Sequence, residues 1–314
     1  MRSSLALRAV HVFVRAPHYK SIPTASPNGT VINRDMLVHQ FRDYYKCLQH
    51  SQLVDSIHLM GERSGTDSMK VADIAVQVNS TLLSVPLTGL EHRATEFRDT
   101  MQYIRSAGGP TSMGAQLMDN EGCRIHSGDV VRLPKGIAVG HGPRTNLTAL
   151  EILKDLYEVR DTDDGAALFD VITLEQEGDA PPLGDYFGFA GDDILIAWKD
   201  EHGLLAVDQY QQSAGENMQV VYVEPGCHFF SFYGVDYTNE ILVQRGFDRS
   251  MDSMAAAGLL PIPVNWSEFE KLGISMRSAT LPVKFIEPGN SGSPLLSKAK
   301  KGRENRWQSR LIKG

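Results

Sequence analysis

The 314-residue chain is 42% hydrophobic and 22% charged, the balance of a soluble globular protein long enough for one large domain or two ordinary ones. Its net charge of −7 gives no overall attraction to nucleic acid. The three cysteines, Cys47, Cys123 and Cys227, are widely spaced and lack a CxxC pair, so neither a disulfide framework nor a metal site is indicated.

That cysteine usage fits a reducing compartment or a mitochondrial matrix. No apolar run reaches the ~18 residues of a membrane span. The first 34 residues contain no acid but carry Arg2, Arg8, Arg15, Lys20 and Arg34, the composition of a mitochondrial presequence. The same stretch also reads as a first strand over 9–14, since Val10, Val12 and Val14 alternate with Ala9, His11 and Phe13. Residues 1–8 are then an N-terminal segment, a remnant of targeting.

Asp35 is positioned to cap a helix over 35–50, with Met36, Phe41, Tyr44 and Leu48 on its apolar side. A strand over 53–60 closes this first unit. The second unit has strands over 71–78 and 81–85 across Asn79-Ser80, a helix over 91–105 ended by Ala107-Gly108-Gly109-Pro110, and a strand over 115–118. In the third, two β-branched runs flank Pro134-Lys135-Gly136. Thr145 or Asn146 can cap a helix with Leu147, Leu150, Leu153 and Leu156 on one face, and a strand over 168–174 follows.

The fourth unit has strands over 187–189 and 194–198, a partly helical stretch over 202–212 and a strand over 219–223. The fifth has strands over 229–232 and 241–244, a helix over 249–258, a strand over 260–264 and a helical turn over 267–272. Residues 276–285 return to the sheet. The order hairpin, helix, strand recurs about five times, every roughly 45–60 residues, which points to a propeller-like array rather than an ordinary βαβ sheet.

The stretch Ser127-Gly128-Asp129-Val130, its hairpin and the Arg144-Thr145-Asn146 helix cap carry a resemblance. They are similar to the Gly-Gly-Asp-Val strand and Arg-Thr-Asn cap of dimethylarginine dimethylaminohydrolases, with Ser127 in place of the first glycine. That family belongs to the pentein, or guanidino-group-modifying, superfamily. The resemblance covers about residues 9–287 and implies an α/β propeller of five ββαβ units about a pseudo-fivefold axis, with the site in the central channel.

The resemblance also says what the site should contain. In the family a cysteine attacks the guanidinium carbon, a histidine moves protons, and carboxylates hold the cation. A thiolate is the strongest nucleophile near neutrality, histidine titrates there, and carboxylates match the guanidinium fork. Asp67 and Asp73 match the family's Asp-x-x-x-x-Glu-Asp-x-Ala segment, but Ala72 replaces its glutamate. An arginine expected after the next strand is replaced by Val85-Pro86, while Arg144 is kept. Pro182 falls at the histidine position and Ser278, in the final strand, at the cysteine position. Neither proline nor an unassisted serine performs this chemistry. Asp67, Asp73, Asp129 and Arg144 are expected as a vestigial pocket near the channel; no catalytic residue, cofactor or metal ligand remains.

Two further features compete for attention. Gly289-Asn290-Ser291-Gly292-Ser293-Pro294 resembles the nucleophile segment of trypsin-like serine proteases, but the helices upstream and the 20 residues after Pro294 do not suit a double β-barrel. A Gly/Ser/Asn linker explains it as well. Residues 298–313 hold seven Lys or Arg and one acid, Glu304, for a net charge of +6 with Trp307 among them. Within the basic tail over 288–314, the segment 296–314 is therefore expected to order against a partner.

The resulting expectation is a pentein-fold pseudoenzyme that serves as a structural or binding subunit of a larger, mitochondrial assembly. Other protein subunits are its expected partners. Some pentein relatives in trypanosomatid mitochondria belong to guide-RNA-binding complexes, so a binding module for a nucleotide or RNA end is the alternative. An active hydrolase with displaced catalytic residues is a third reading.

Overall fold

The computed structural model describes residues 8–51, 54–78, 81–84, 93–109, 122–160, 167–191, 194–214, 218–232 and 239–286. Residues 1–7, Val85-Pro86, the strand expected over 115–118, the Gly289–Pro294 motif and the 296–314 tail lie outside them.

The strands and principal helices alternate in a fixed pattern. They are β1 (Arg8–Arg15), α1 (Arg34–His50), β2 (Ser56–Met60), β3 (Ala75–Val78), β4 (Thr81–Ser84), α2 (Ala94–Ser106), β5 (Val130–Leu133) and β6 (Gly136–His141). Then come α3 (Leu147–Tyr157), β7 (Val159–Arg160), β8 (Ala167–Glu175), β9 (Phe187–Ala190), β10 (Ile194–Trp198), α4 (Glu201–Ala214) and β11 (Val220–Val223). The last elements among the described residues are β12 (Phe229–Ser231), β13 (Glu240–Gln244), α5 (Asp248–Ala256), β14 (Leu260–Val264) and β15 (Leu281–Ile286).

Among the described residues the strands form five small sheets. In the third, fourth and fifth units an antiparallel hairpin is followed by a helix and a parallel strand, giving β5-β6-β8-β7, β9-β10-β11 and β12-β13-β14. The second contributes the β3-β4 hairpin and α2. The first is assembled from both ends of the chain: β15 pairs antiparallel with β1, and β1 pairs parallel with β2. The inner strands β15, β3, β5, β9 and β12 come one from each unit. Neighbours pack in that order: β15 against β3, β5 against β9, and β9 against β12. Arg132 of β5 donates to the carbonyl of Gln77 in β3, joining a fourth pair, and the Met276–Ala279 turn that leads into β15 packs against β12. This is the pentein α/β propeller.

The local sequence explains each element. All five residues of β10, Ile-Leu-Ile-Ala-Trp, are buried because the strand is central in its sheet and covered by α4. The helix sits so close that a side chain at Gly203 would meet the Trp198 carbonyl at 2.0 Å. Leu150, Leu153 and Leu156 give α3 a buried stripe, as expected, but Leu147 is exposed because it opens the helix on its outer side. Asn146, not Thr145, is the cap, accepting from Ala149 N at 3.2 Å.

Several boundaries differ from the sequence expectation. The cap of α1 is Asn33, which accepts from Met36 N at 3.0 Å; Asp35 lies in the first turn, where it faces the positive helix end. The buried stripe is Leu37, Phe41, Tyr44 and Leu48, leaving Met36 exposed. Residues 201–214 are helical throughout. The expected strands over 71–78 and 276–285 each begin as a single helical turn, Val71–Ile74 and Met276–Ala279, before β3 and β15. A lone turn has too few residues to show a period, so its apolar side chains read as strand.

Candidate functional site

A short turn precedes the inner strand in four of the units. These are Val71–Ile74 before β3, Ser127–Asp129 before β5, Leu183–Tyr186 before β9 and Met276–Ala279 before β15. They gather at one end of the channel: the 71–74 turn packs against both 127–129 and 276–279, and 183–186 packs against 127–129. Asp73, Asp129, Pro182 and Ser278 all belong to this ring of turns or sit at its edge.

Asp129 is fully buried and its carboxylate is shared three ways. It accepts from Arg144 Nη2 at 3.2 Å, Thr145 Oγ1 at 2.9 Å and Leu183 N at 3.1 Å. Arg144 also donates to the carbonyls of Ala180 at 2.7 Å and Pro181 at 2.9 Å and to Gln176 Oε1 at 3.2 Å. The Asp129–Arg144 pair thus ties the third unit to the segment entering the fourth. A buried carboxylate survives only with such partners.

Asp73 is buried too, and desolvation raises its carboxyl above the ordinary value, opposed by His126, Lys70, Arg93 and Arg277. Arg93 Nη1 approaches it at 3.9 Å. Arg93 also grips Glu96, at 2.8 Å from both Nε and Nη2, and Glu96 in turn pairs with Arg15 at 2.5 Å. Asp67 is different: it is half exposed and pairs with Lys70 at 3.3 Å. The structure brings Asp129 and Arg144 into direct contact and places Asp73 in the adjoining turn, while Asp67 faces solvent.

The two positions expected to react carry no reactive arrangement. Pro182 precedes the 183–186 turn and packs against Gly128, where an added Cβ would meet it at 2.7 Å. Ser278 lies in the helical turn rather than in the final strand, and its Oγ donates to the Ser275 carbonyl at 2.9 Å. Its own amide is capped by Ser275 Oγ at 3.1 Å.

Arg93, Arg132 and Arg277 belong to this region and were not singled out from sequence. Arg277 threads the ring, donating from Nη2 to the carbonyls of Ser127 and Val130, the latter at 3.0 Å. It lies against Gly184, whose added Cβ would meet Arg277 Nε at 2.3 Å. The only available signal was its place beside Ser278. Beyond the ring, a cavity of about 110 Å³ follows the axis, lined by the five inner strands together with Arg132 and Arg277. Elsewhere, Glu177, Asp179 and His202 bring one ligand atom each within 4.8 Å of one another, but such surface acidic groups commonly occur without an ion. Among the described residues no helix is long and apolar enough to cross a membrane.

This arrangement is that of the guanidino-group-modifying enzymes in fold. The structure is similar to a dimethylarginine dimethylaminohydrolase from Pseudomonas aeruginosa bound to citrulline, with TM-score 0.64, 16% identity, and coverage of 87% of this chain and 98% of that one. The N-terminal domain of the cyanobacterial arginine dihydrolase ArgZ gives TM-score 0.62 and 14% identity over 87% and 98% of the two chains. AgrE in complex with ornithine and NAD+ gives 0.64 and 14% over 90% of this chain and 40% of that one. No curated protein sequence matches. Residues 9–287 match the model of the RNA-editing substrate-binding complex 5 protein, RESC5, and the chain belongs to that family.

Proposed function

We propose that this protein is a non-catalytic subunit of an RNA-editing assembly in the mitochondrion, with its pentein ring used as a structural or binding element. The observation that carries the loss of catalysis is the state of the two reacting positions. Pro182 has no proton to move, and Ser278 spends its hydroxyl hydrogen on a carbonyl instead of a base. Ala72 removes a further carboxylate that would hold a guanidinium. The family match supports membership of an RNA-editing complex and, through it, a mitochondrial address; Arg8, Arg15 and Arg34 lie in β1 and α1 of the folded ring, so the basic composition of the first 34 residues adds nothing to that. The basic 296–314 segment with Trp307 is suited to an acidic partner surface, protein first and RNA second.

The test has two arms. Purified protein is expected to release no citrulline from arginine or methylated arginine, and Pro182→His with Ser278→Cys is expected not to restore release. Turnover by the unmodified protein, abolished by Ser278→Ala, would overturn the loss of catalysis. In native extracts the tagged full chain should co-purify with the editing assembly, and deletion of 296–314 should weaken its incorporation. Recovery as a solitary monomer at physiological salt would reject the subunit reading.

A further inference from the structure

The axial cavity is lined by side chains from all five inner strands, yet its only charged lining residues among those described are Arg132 and Arg277. Phe187, Phe229, Val130 and Leu281 supply apolar wall. Neither arginine has a carboxylate at ion-pair distance among the described residues. Burial lowers the Arg277 guanidinium, and Asp185, Asp73 and Asp129 oppose this through space without an ion-pair contact; Asp129 is engaged by Arg144 and Asp73 faces Arg93. The charged group acting on Arg132 is Arg277 itself.

Both guanidiniums are aimed by neutral partners. Arg132 donates from Nε to the Gln77 carbonyl at 3.0 Å and from Nη2 to Gln77 Oε1 at 3.4 Å. Gln77 is itself fixed across β15, donating to the Lys284 carbonyl at 2.9 Å and accepting from Lys284 N at 2.7 Å. Arg277 uses Nη2 on two carbonyls. Arg132 Nη1 and Arg277 Nε and Nη1 are thereby left with no hydrogen bond among the described residues. Burial, and then the neighbouring Arg277, lower the Arg132 guanidinium to about 10, so it is still charged at neutral pH.

Two like charges beside an apolar wall repel each other and lose hydration, and an anion between them offsets both costs. We propose that the axial cavity binds a phosphate group, held between Arg132 and Arg277. A phosphate offers three or more oxygens in a tetrahedron and up to two negative charges, so two forks approaching from a strand and a turn can each take acceptors and both cations are balanced; a carboxylate brings a single charge to the pair. The cavity, at about 110 Å³, is smaller than the roughly 150 Å³ that accepts benzene, and a phosphate group is smaller than benzene in turn. A whole nucleotide exceeds the cavity, so any attached sugar and base lie outside it.

The test uses the isolated full chain and does not depend on membership of a complex. Thermal shift and titration calorimetry are run at constant ionic strength with inorganic phosphate, a nucleoside 5′-monophosphate, acetate, and a short RNA carrying either a 5′-phosphate or a 5′-hydroxyl. Saturable binding of phosphate, absent with acetate, is expected, weakened at least tenfold in Arg132→Gln. Arg277→Gln should do the same; if that variant fails to fold, Arg132→Gln decides, because it leaves the ring carbonyls untouched. Tighter binding of the monophosphate than of phosphate assigns a nucleotide as the source. Preference for the 5′-phosphorylated RNA over its hydroxyl form assigns a polynucleotide end, and equal affinity for all phosphate forms assigns free phosphate. No saturable phosphate binding, equal response to acetate, or unchanged affinity in Arg132→Gln would overturn the proposal.

Discussion

The third unit and the closing unit share a strand order but are held by different kinds of contact. The third is local: β5, β6, α3 and β8 follow one another, and Asp129 finds Arg144 and Thr145 within 16 residues. The closing unit joins chain ends. Phe13 pairs with Leu281 across β1 and β15, Tyr44 meets Thr280, and Gln40 bonds Ser267 at 2.9 Å and Glu268 N at 3.0 Å. Contacts spanning more than 220 residues close only after everything between them is ordered, so this unit bears the ring's loop-closure entropy. The third unit packs first on its own stripe of leucines; the closing unit stands or falls with the whole.

That contrast can be broken at its ends. The largest effect is expected from Val283→Asp, which places a charge at a fully buried position of β15 between the closing sheet and the second unit. A loss above about 4 kcal/mol is expected, read as loss of the cooperative unfolding transition. Asp129→Ala strikes the third unit instead, leaving Arg144, Thr145 and the Leu183 amide without their shared acceptor. Breaking one side of such a buried pair costs about 3–5 kcal/mol, measurable by urea denaturation. Tyr44→Phe removes only the hydroxyl that reaches Thr280, and a loss of about 1 kcal/mol is expected. If Tyr44→Phe proved as damaging as Asp129→Ala, the seam between chain ends would be stiffer than this comparison holds.

The smallest effect sharpens the comparison through pH. On the closing sheet His11 Nδ1 lies 2.8 Å from His58 Nε2. Burial lowers both below the ordinary 6.5; for His11 the neighbouring His58 lowers it further and Asp55 opposes. A depressed folded value means that the unfolded chain binds protons more tightly. The pair therefore contributes stability above about pH 6.5 that is lost as pH falls through the folded values. The melting temperature should drop between pH 7 and pH 5, and drop less in His58→Gln; parallel slopes would remove the pair from the account.

How much was legible in the sequence follows the same division. Leu150, Leu153 and Leu156 announce α3, and the motif around Asp129 and Arg144 led to a real ion pair, because local periodicity and short motifs are local information. The closing strand reads in sequence only as a return to the sheet, since nothing in Leu281–Ile286 names its partner at Arg8–Arg15. The turns at 71–74 and 276–279 read as strand because one turn carries no period. Arg132 and Arg277 escaped notice for a different reason: an arginine in a strand or beside a serine looks solvent-facing, and only closure of the ring turns both toward the axis.

The pairing of Arg8 with Ile286 also makes the ring's order cyclic rather than linear. Directly opposed residues of an antiparallel pair lie about 5 Å apart, so residues 8 and 286 can be bridged by a few residues of linker. A circular permutant joined there and opened at the exposed Pro225, in the turn between β11 and β12, should fold to the same five-bladed arrangement. In that permutant the seam becomes an ordinary hairpin, and the burden of closure passes to the junction of the fourth and fifth blades.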